Sequence, residues 1–184
     1  MIVAGHDTMS EWAALDLCAQ AEHGSDGLLV AAAVETAVLD GIAAAVREHE
    51  RPDLAEQPLA LVQVPDLGDA VELANALAPE HLQLMSEDAA PLADHVQTAG
   101  CVMLGQQSAT AFADYAAGSN HVLPTGGAGR FSGPLGPATF RRRFANVSLP
   151  GRAAEALAPV VDVLARAEGL PLHAESARAR TKKA

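Results

Sequence analysis

The chain is 184 residues long, 49% hydrophobic and 19% charged. That composition excludes intrinsic disorder and suits one ordinary domain, with or without an appendage. Lys and Arg number 12 against 23 Asp and Glu, a formal net charge of -11, which argues against a nucleic-acid backbone or an anionic membrane surface as partner.

Met1-Ile2-Val3-Ala4-Gly5-His6-Asp7 has no basic n-region and no long apolar h-region, so it reads as the end of a strand at Ile2 to Ala4 rather than as a secretory leader. Ser10 is placed to cap a helix, without a capping box because Ala13 stands three residues on. Trp12, Leu15 and Ala19 recur at helical spacing, and Gly24 ends the helix. Gly27 to Ala31 reads as a buried strand, and Val34, Ala37, Val38, Gly41, Ile42 and Ala45 as the apolar stripe of a second helix. Pro52 and Pro58 bracket a polar loop, and Leu59 to Val64 is another buried strand. Asp66 or Gly68 opens a helix through about Leu77, which Pro79 ends by restricting Ala78. Leu82-Gln83-Leu84 alternates as a short strand, Glu87 to Val96 is helical, and Gly100 to Leu104 is a strand. This β-α-β-α order predicts an α/β fold with a mostly parallel sheet covered by helices.

From Gly118 to Gly136 the chain is rich in glycine and has little periodicity, a long loop of the kind that is often functional in compact domains. Leu157, Val160, Val161 and Leu164 mark an amphipathic helix, and Leu170 to Ala184 is polar and unanchored by any further apolar run. Cys18 and Cys101 stand far apart with no C-x-x-C, which points to a reducing, cytoplasmic setting rather than a disulfide scaffold. No uninterrupted apolar run approaches the ~20 residues of a membrane span.

Four stretches carry candidate chemistry. Gln20 and His23 are three apart at a helix end and share a face, so an amide oxygen and an imidazole can meet one metal ion. The same pair also reads as a solvated helix end with a histidine near the C-terminal dipole. Glu80 and His81 sit on the turn into a strand, two adjacent proton acceptors of which the histidine titrates near neutrality, or simply an exposed turn. Asp114 can ligate a metal and His121 can touch a substrate, on a helix end that runs into the glycine-rich loop. The glycines of that loop do not match G-x-G-x-x-G, and no strand directly precedes them. Glu168 and His173 follow the final amphipathic helix, where a tail histidine is most simply an exposed one.

Taken in order, Asp16-Leu17-Cys18-Ala19-Gln20-Ala21-Glu22-His23-Gly24, Ala78-Pro79-Glu80-His81-Leu82, Ala117-Gly118-Ser119-Asn120-His121-Val122-Leu123-Pro124-Thr125 and Ala167-Glu168-Gly169-Leu170-Pro171-Leu172-His173-Ala174 closely resemble histidinol dehydrogenase, over about Ile2 to Arg180. The resemblance implies oxidation of L-histidinol through L-histidinal to L-histidine with reduction of two NAD molecules, the last step of histidine biosynthesis. It places Gln20, His23, Asp114 and His173 on the ligand positions of one zinc ion, which holds the substrate by its nitrogens and so acts as an orienting template. His81 falls on the general base and Glu80 on the residue that activates water for the second oxidation. Gln20, His23, His81, Asp114, His121, Glu168 and His173 all fall on substrate-contacting positions. The family is a homodimer, and Glu168 and His173 would serve the partner subunit's site.

Members of that family are more than twice as long, and the resemblance covers their C-terminal half. It therefore implies residues 1–135 as the second half of a Rossmann-like core and 136–184 as a C-terminal helix and dimerisation tail, with no NAD-binding residue in this chain. Turnover by these residues alone is not expected. The alternative implied function is a non-catalytic dimer that binds zinc and histidinol.

Overall fold

The computed structural model describes residues 1–24, 26–49 and 57–181. Pro52 and most of the polar loop behind it lie outside the described residues. Five strands form one sheet: β1 (Ile2–Ala4), β2 (Leu29–Ala33), β3 (Leu59–Gln63), β4 (His81–Met85) and β5 (Cys101–Leu104). Their order is β3-β2-β1-β4-β5, and every neighbouring pair is parallel. Val3 lies level with Ala32 and Leu84, and His81 with Cys101.

Period-two alternation sorts the strand side chains onto two covered faces. On one face Ile2, Ala4, Ala31, Ala33 and Met85 pack with Ala13 and Leu17 of α1 (Ser10–Ala21) and with Leu39 and Ile42 of α2 (Thr36–Glu48). On the other, Val3, Ala32, Leu82 and Leu84 pack with Ala70, Val71 and Ala74 of α3 (Leu67–Leu77) and with Ala89 of α4 (Ala89–Ala93). The sheet's alanines let these helices approach closely, while Leu17, Ile42, Leu82 and Leu84 supply bulk, each contributing roughly 1.5–3 kcal/mol through burial.

α3 starts on a side-chain cap, with Asp69 N–H donating to Asp66 Oδ1 at 2.9 Å. It ends on Ala78, whose φ of 51° and ψ of 63° are left-handed, directly before Pro79. A non-glycine residue in that region stores strain, here immediately upstream of Glu80 and His81. α5 (Thr110–Tyr115) follows β5.

The chain divides into two compact units, 1–140 and 141 onward, where the sequence placed a boundary between 135 and 136. The second unit pairs α6 (Gly151–Ala167) with α7 (Pro171–Ala179). Ala158, Ala165 and Ala174 are buried in it, and Asp162 meets Arg166 at 3.1 Å and Arg178 at 3.5 Å.

Four local expectations change. Ser10 is the first residue of α1 rather than its cap. Met9 takes the cap position because its carbonyl accepts from Trp12 and Ala13 N–H, while its own N–H goes to Gln106 Oε1 at 2.7 Å. The second strand runs over Leu29–Ala33 instead of Gly27 to Ala31, in register with β1 and β3. The helix expected over Glu87 to Val96 is only Ala89–Ala93, because the segment behind it is held by Asn75. Asn75 donates to the His95 carbonyl at 2.9 Å and accepts from Gln97 N–H at 2.7 Å. The polar tail contains α7, anchored by the small residue Ala174 rather than by a large apolar run. No helix among the described residues is long and apolar enough to cross a membrane.

Candidate functional site

In a parallel sheet each helix runs back against its strand. The end of α1 therefore returns to the level where the strands begin, as does the end of α5. His81 is the first residue of β4, so the two helix ends and the start of β4 converge. A cavity of about 1040 Å³ opens there, at the N-terminal end of the sheet. Ligands of open α/β sheets usually bind at the opposite, carboxyl end. Gln20, His23, Glu80, His81, Asp114, Tyr115 and His121 line it, along with Leu28, Leu29, Thr125, Gly126 and Gly127.

Each candidate has a structural reason to be there. Gln20 lies in the last turn of α1, and His23 follows through a turn in which its N–H donates to the Gln20 carbonyl at 3.2 Å. Glu80 is held through its backbone, its carbonyl accepting from Cys101 N–H at 2.9 Å. His81 is 7% exposed, and its Nε2 lies 3.0 Å from Asp114 Oδ1, also a largely buried group. His121 is exposed at the cavity wall. Its loop is pinned by Asn120, which donates to the Leu135 carbonyl at 2.6 Å and accepts from Val122 N–H at 2.8 Å. Arg130 fastens the other arm of the loop to the carbonyls of Ala76 and Gly127.

The structure thus brings together six of the eight residues singled out by sequence: Gln20, His23, Glu80, His81, Asp114 and His121. Glu168, at the end of α6, and His173, in α7, belong to the second unit, where both are exposed. Among the described residues, no three His, Cys, Asp or Glu side chains converge as a set able to hold a metal ion. Of the ligand candidates singled out by sequence, Gln20, His23 and Asp114 lie in the first unit, and only His23 and Asp114 are of those four types. Asp114 is turned toward His81.

The pairing of Cys101 with His81 across β4 and β5 puts a thiol on the same face of the sheet. Burial, and then the nearby Asp114 charge, push the Cys101 thiol above its ordinary value, against a hydrogen bond from Ser119. A thiol in that state is a poor nucleophile.

Sequence reasoning missed a polar layer beneath the cavity. Gln83 is 1% exposed, and its amide nitrogen donates to the Ser108 carbonyl at 3.3 Å. Asp16 takes hydrogen bonds from Gln83 and from the Thr110 backbone N–H, but burial outweighs them and raises its pKa from 3.8. The only signal was a glutamine inside a short apolar strand, where both faces proved to be covered.

A raised carboxyl pKa stabilises the fold fully below the unfolded value, and that contribution is lost as pH rises through the folded value. Asp16→Asn is therefore expected to gain stability relative to wild type between acid and neutral pH. Denaturant midpoints measured across that range check this, and parallel curves for the two proteins would count against it.

The family model described as histidinol dehydrogenase matches residues 1–181. The histidinol dehydrogenase of Pseudomonas putida is 38% identical over 188 residues, covering 98% of this chain and 43% of the relative. That of Thiocapsa roseopersicina is 37% identical, covering 98% of this chain and 81% of the relative. The crystal structure of histidinol dehydrogenase from Elizabethkingia anophelis superposes with a TM-score of 0.77 at 26% identity, over 97% of this chain and 43% of that one. The chain thus spans less than half the length of the Pseudomonas relative and of the solved structure.

Proposed function

The chain belongs to the histidinol dehydrogenase family, and from that premise we propose that it is the substrate-handling segment of an enzyme that oxidises L-histidinol through L-histidinal to L-histidine. The observation that carries this reading is the single cavity shared by Gln20, His23, Glu80, His81, Asp114 and His121. An acid–base pair, donors for one cation and an imidazole on a loop are what an alcohol carrying basic nitrogens requires.

His81 takes the proton of the substrate hydroxyl as hydride leaves the carbinol carbon. Its burial and its contact with Asp114 hold the ring in one orientation, which is a precondition for efficient proton transfer. Glu80, beside it at the cavity wall, takes a proton from the water that adds to the aldehyde before the second oxidation. Gln20, His23 and Asp114, a thiol-free set lining one cavity, would supply three donors to zinc, His173 of a partner subunit would supply the fourth, and substrate would enter by expanding the coordination. Zinc, when bound, orients the substrate through its nitrogens, and NAD supplies the hydride acceptor. No residue of this chain is assigned to NAD, so reduction of the nucleotide is a property of the longer enzyme. The protein works as a cytoplasmic homodimer in which Glu168 and His173 reach the partner's cavity.

Zinc and L-histidinol titrated into the dialysed protein test the reading. The expected result is histidinol binding that depends on zinc, and Asp114→Ala is expected to lose zinc before it loses fold. A folded wild-type protein that binds neither would overturn the reading, and an Asp114→Ala protein that keeps stoichiometric zinc after dialysis would overturn the ligand assignment.

A further inference from the structure

α5 is six residues long, too short to hold a position by its own helical bonds, so it is placed by what it is tied to. Its cap residue, Ala109, makes no side-chain hydrogen bond to the open N–H groups of the first turn. Two residues from other elements take up that end. Asp16 of α1 accepts from the Thr110 backbone N–H, and Gln83 of β4 donates through Nε2 to the Ser108 carbonyl at 3.3 Å. Gln83 also donates to the Asp16 carboxyl, so the three contacts close into one link between α1, β4 and α5. Gln83 is 1% exposed and Thr110 3%, which shields the link from competing water.

The link stands in a fixed relation to the cavity. Asp16 lies four residues before Gln20 on α1, and Thr110 four residues before Asp114 on α5, so each pair shares a helix face. Gln83 lies two residues beyond His81 on β4, and that pair shares a sheet face. Four helical residues rise about 6 Å, and two strand residues about 6.6 Å. The link is therefore a nearly level step below the cavity on all three elements. Whatever spacing it imposes is passed up to Gln20 and Asp114, which line the cavity, while Asp16 does not.

We propose that Asp16 is a positioning residue for metal binding: by capping α5 from α1 it sets the spacing of Gln20 and Asp114, and so the affinity of the cavity for a divalent cation it does not touch. Metal–ligand distances tolerate only about 0.2 Å. A shift of α5 against α1 too small to unfold anything therefore weakens a site shared between them. A carboxylate at the start of α5 also faces the favourable end of the helix dipole. The role accounts for a carboxyl group kept where burial works against its charge.

This inference rests on the reading of Gln20 and Asp114 as donors to one cation, and its readout is metal binding rather than turnover. Cobalt(II) is titrated into the dialysed protein, and its visible bands are followed as a report of donor geometry. Asp16→Ala is expected to weaken cobalt binding about 10-fold or more and to change the band shape, the usual consequence of losing a residue that holds metal ligands in place. Asp16→Asn, which keeps an oxygen for the Thr110 N–H, is expected to stay close to wild type in both. Ile42→Val, which loosens the core between α1 and α2 without touching the link, is expected to leave both unchanged. Unaltered cobalt binding in Asp16→Ala overturns the inference, and so does a loss of the same size in Asp16→Asn or Ile42→Val. A measurement on the wild type decides even where a variant fails to fold. Hydrogen exchange at the Thr110 amide is expected to be equally slow with and without zinc, because the link is in place before the metal arrives. Slowing only on zinc addition overturns the inference. Asp114→Ala separates it from the ligand reading. If that variant binds cobalt as the wild type does, or the wild type binds none, the ligand reading falls and this inference with it. Lost binding in Asp114→Ala beside normal binding in Asp16→Ala removes only the role of Asp16.

Discussion

His81→Asn, introduced into the full-length enzyme that carries this segment, is expected to lower kcat by about 10²- to 10⁴-fold, the usual worth of a positioned general base. Zinc content is expected to stay at wild-type level, because His81 is not among the proposed ligands. Asparagine keeps a polar group beside Asp114, so the loss reports the missing base more than a disrupted pocket. The neighbouring carboxylate predicts a contrasting phenotype. Glu80→Gln is expected to spare the first hydride transfer and to slow the step that consumes the aldehyde. Single-turnover measurements starting from alcohol and from aldehyde separate the two. A His81→Asn enzyme with near-normal kcat would remove the histidine from the chemistry.

The second large effect is expected at Gly100. A Cβ there would stand 2.6 Å from the Glu80 carbonyl oxygen and 3.0 Å from Cδ of Pro124. Neither neighbour can retreat easily. The Glu80 carbonyl is tied to Cys101 N–H at 2.9 Å, and Gly100 N–H itself donates to the Pro79 carbonyl at 3.0 Å. Pro124 is a buried ring on the glycine-rich loop. Gly100→Ala must therefore push the Pro79–Glu80 backbone away from β5 or move the loop. A destabilisation of about 1–3 kcal/mol is expected, the range for overpacking a close contact. It should appear as a lower denaturant midpoint with an unchanged m value. An unaltered midpoint would show that the approach of β5 to Glu80 is looser than these distances indicate. The glycine matters here for the space it leaves, since its φ is not in the left-handed region.

The polar layer below the cavity joins these sites. Asp16 comes from α1, Gln83 from β4, and Thr110 from the first turn of α5. Those elements also carry Gln20, His81 and Asp114 at their cavity ends. Changes at Asp16 or Gln83 are thus expected to reach the cavity through element positions.

Much of the architecture was legible in the residues themselves. The alternation of short apolar runs with helical stripes was enough to indicate a parallel sheet, because buried strands and half-buried helices leave different periods in a sequence. Pro79 marked the end of α3 within a residue, since a residue before proline resists helical geometry. Gln20 with His23, and Glu80 with His81, were visible as local pairs, and each pair alone was equally compatible with a solvated turn. Their wording and order carried the family resemblance. What the spacing did not contain was their meeting place: 59 residues separate α1 from β4, and only the return of α1 and α5 to the start of β4 brings Gln20, Asp114 and His81 to one cavity.

The tail shows the same division in reverse. The one large apolar residue of α7, Leu172, is exposed, and the helix packs through Ala174, whose small side chain permits close approach to α6 but leaves almost no trace in hydropathy. Gln83 is the clearest case. Local alternation assigned it to the face opposite Leu82 and Leu84, and that much the sequence by itself determined. Whether that face met solvent or a second layer of helices was decided by tertiary structure alone, because burial depends on what is packed across the sheet and not on neighbours along the strand. The same packing turned an ordinary polar residue into one that needs partners, and so into part of the site.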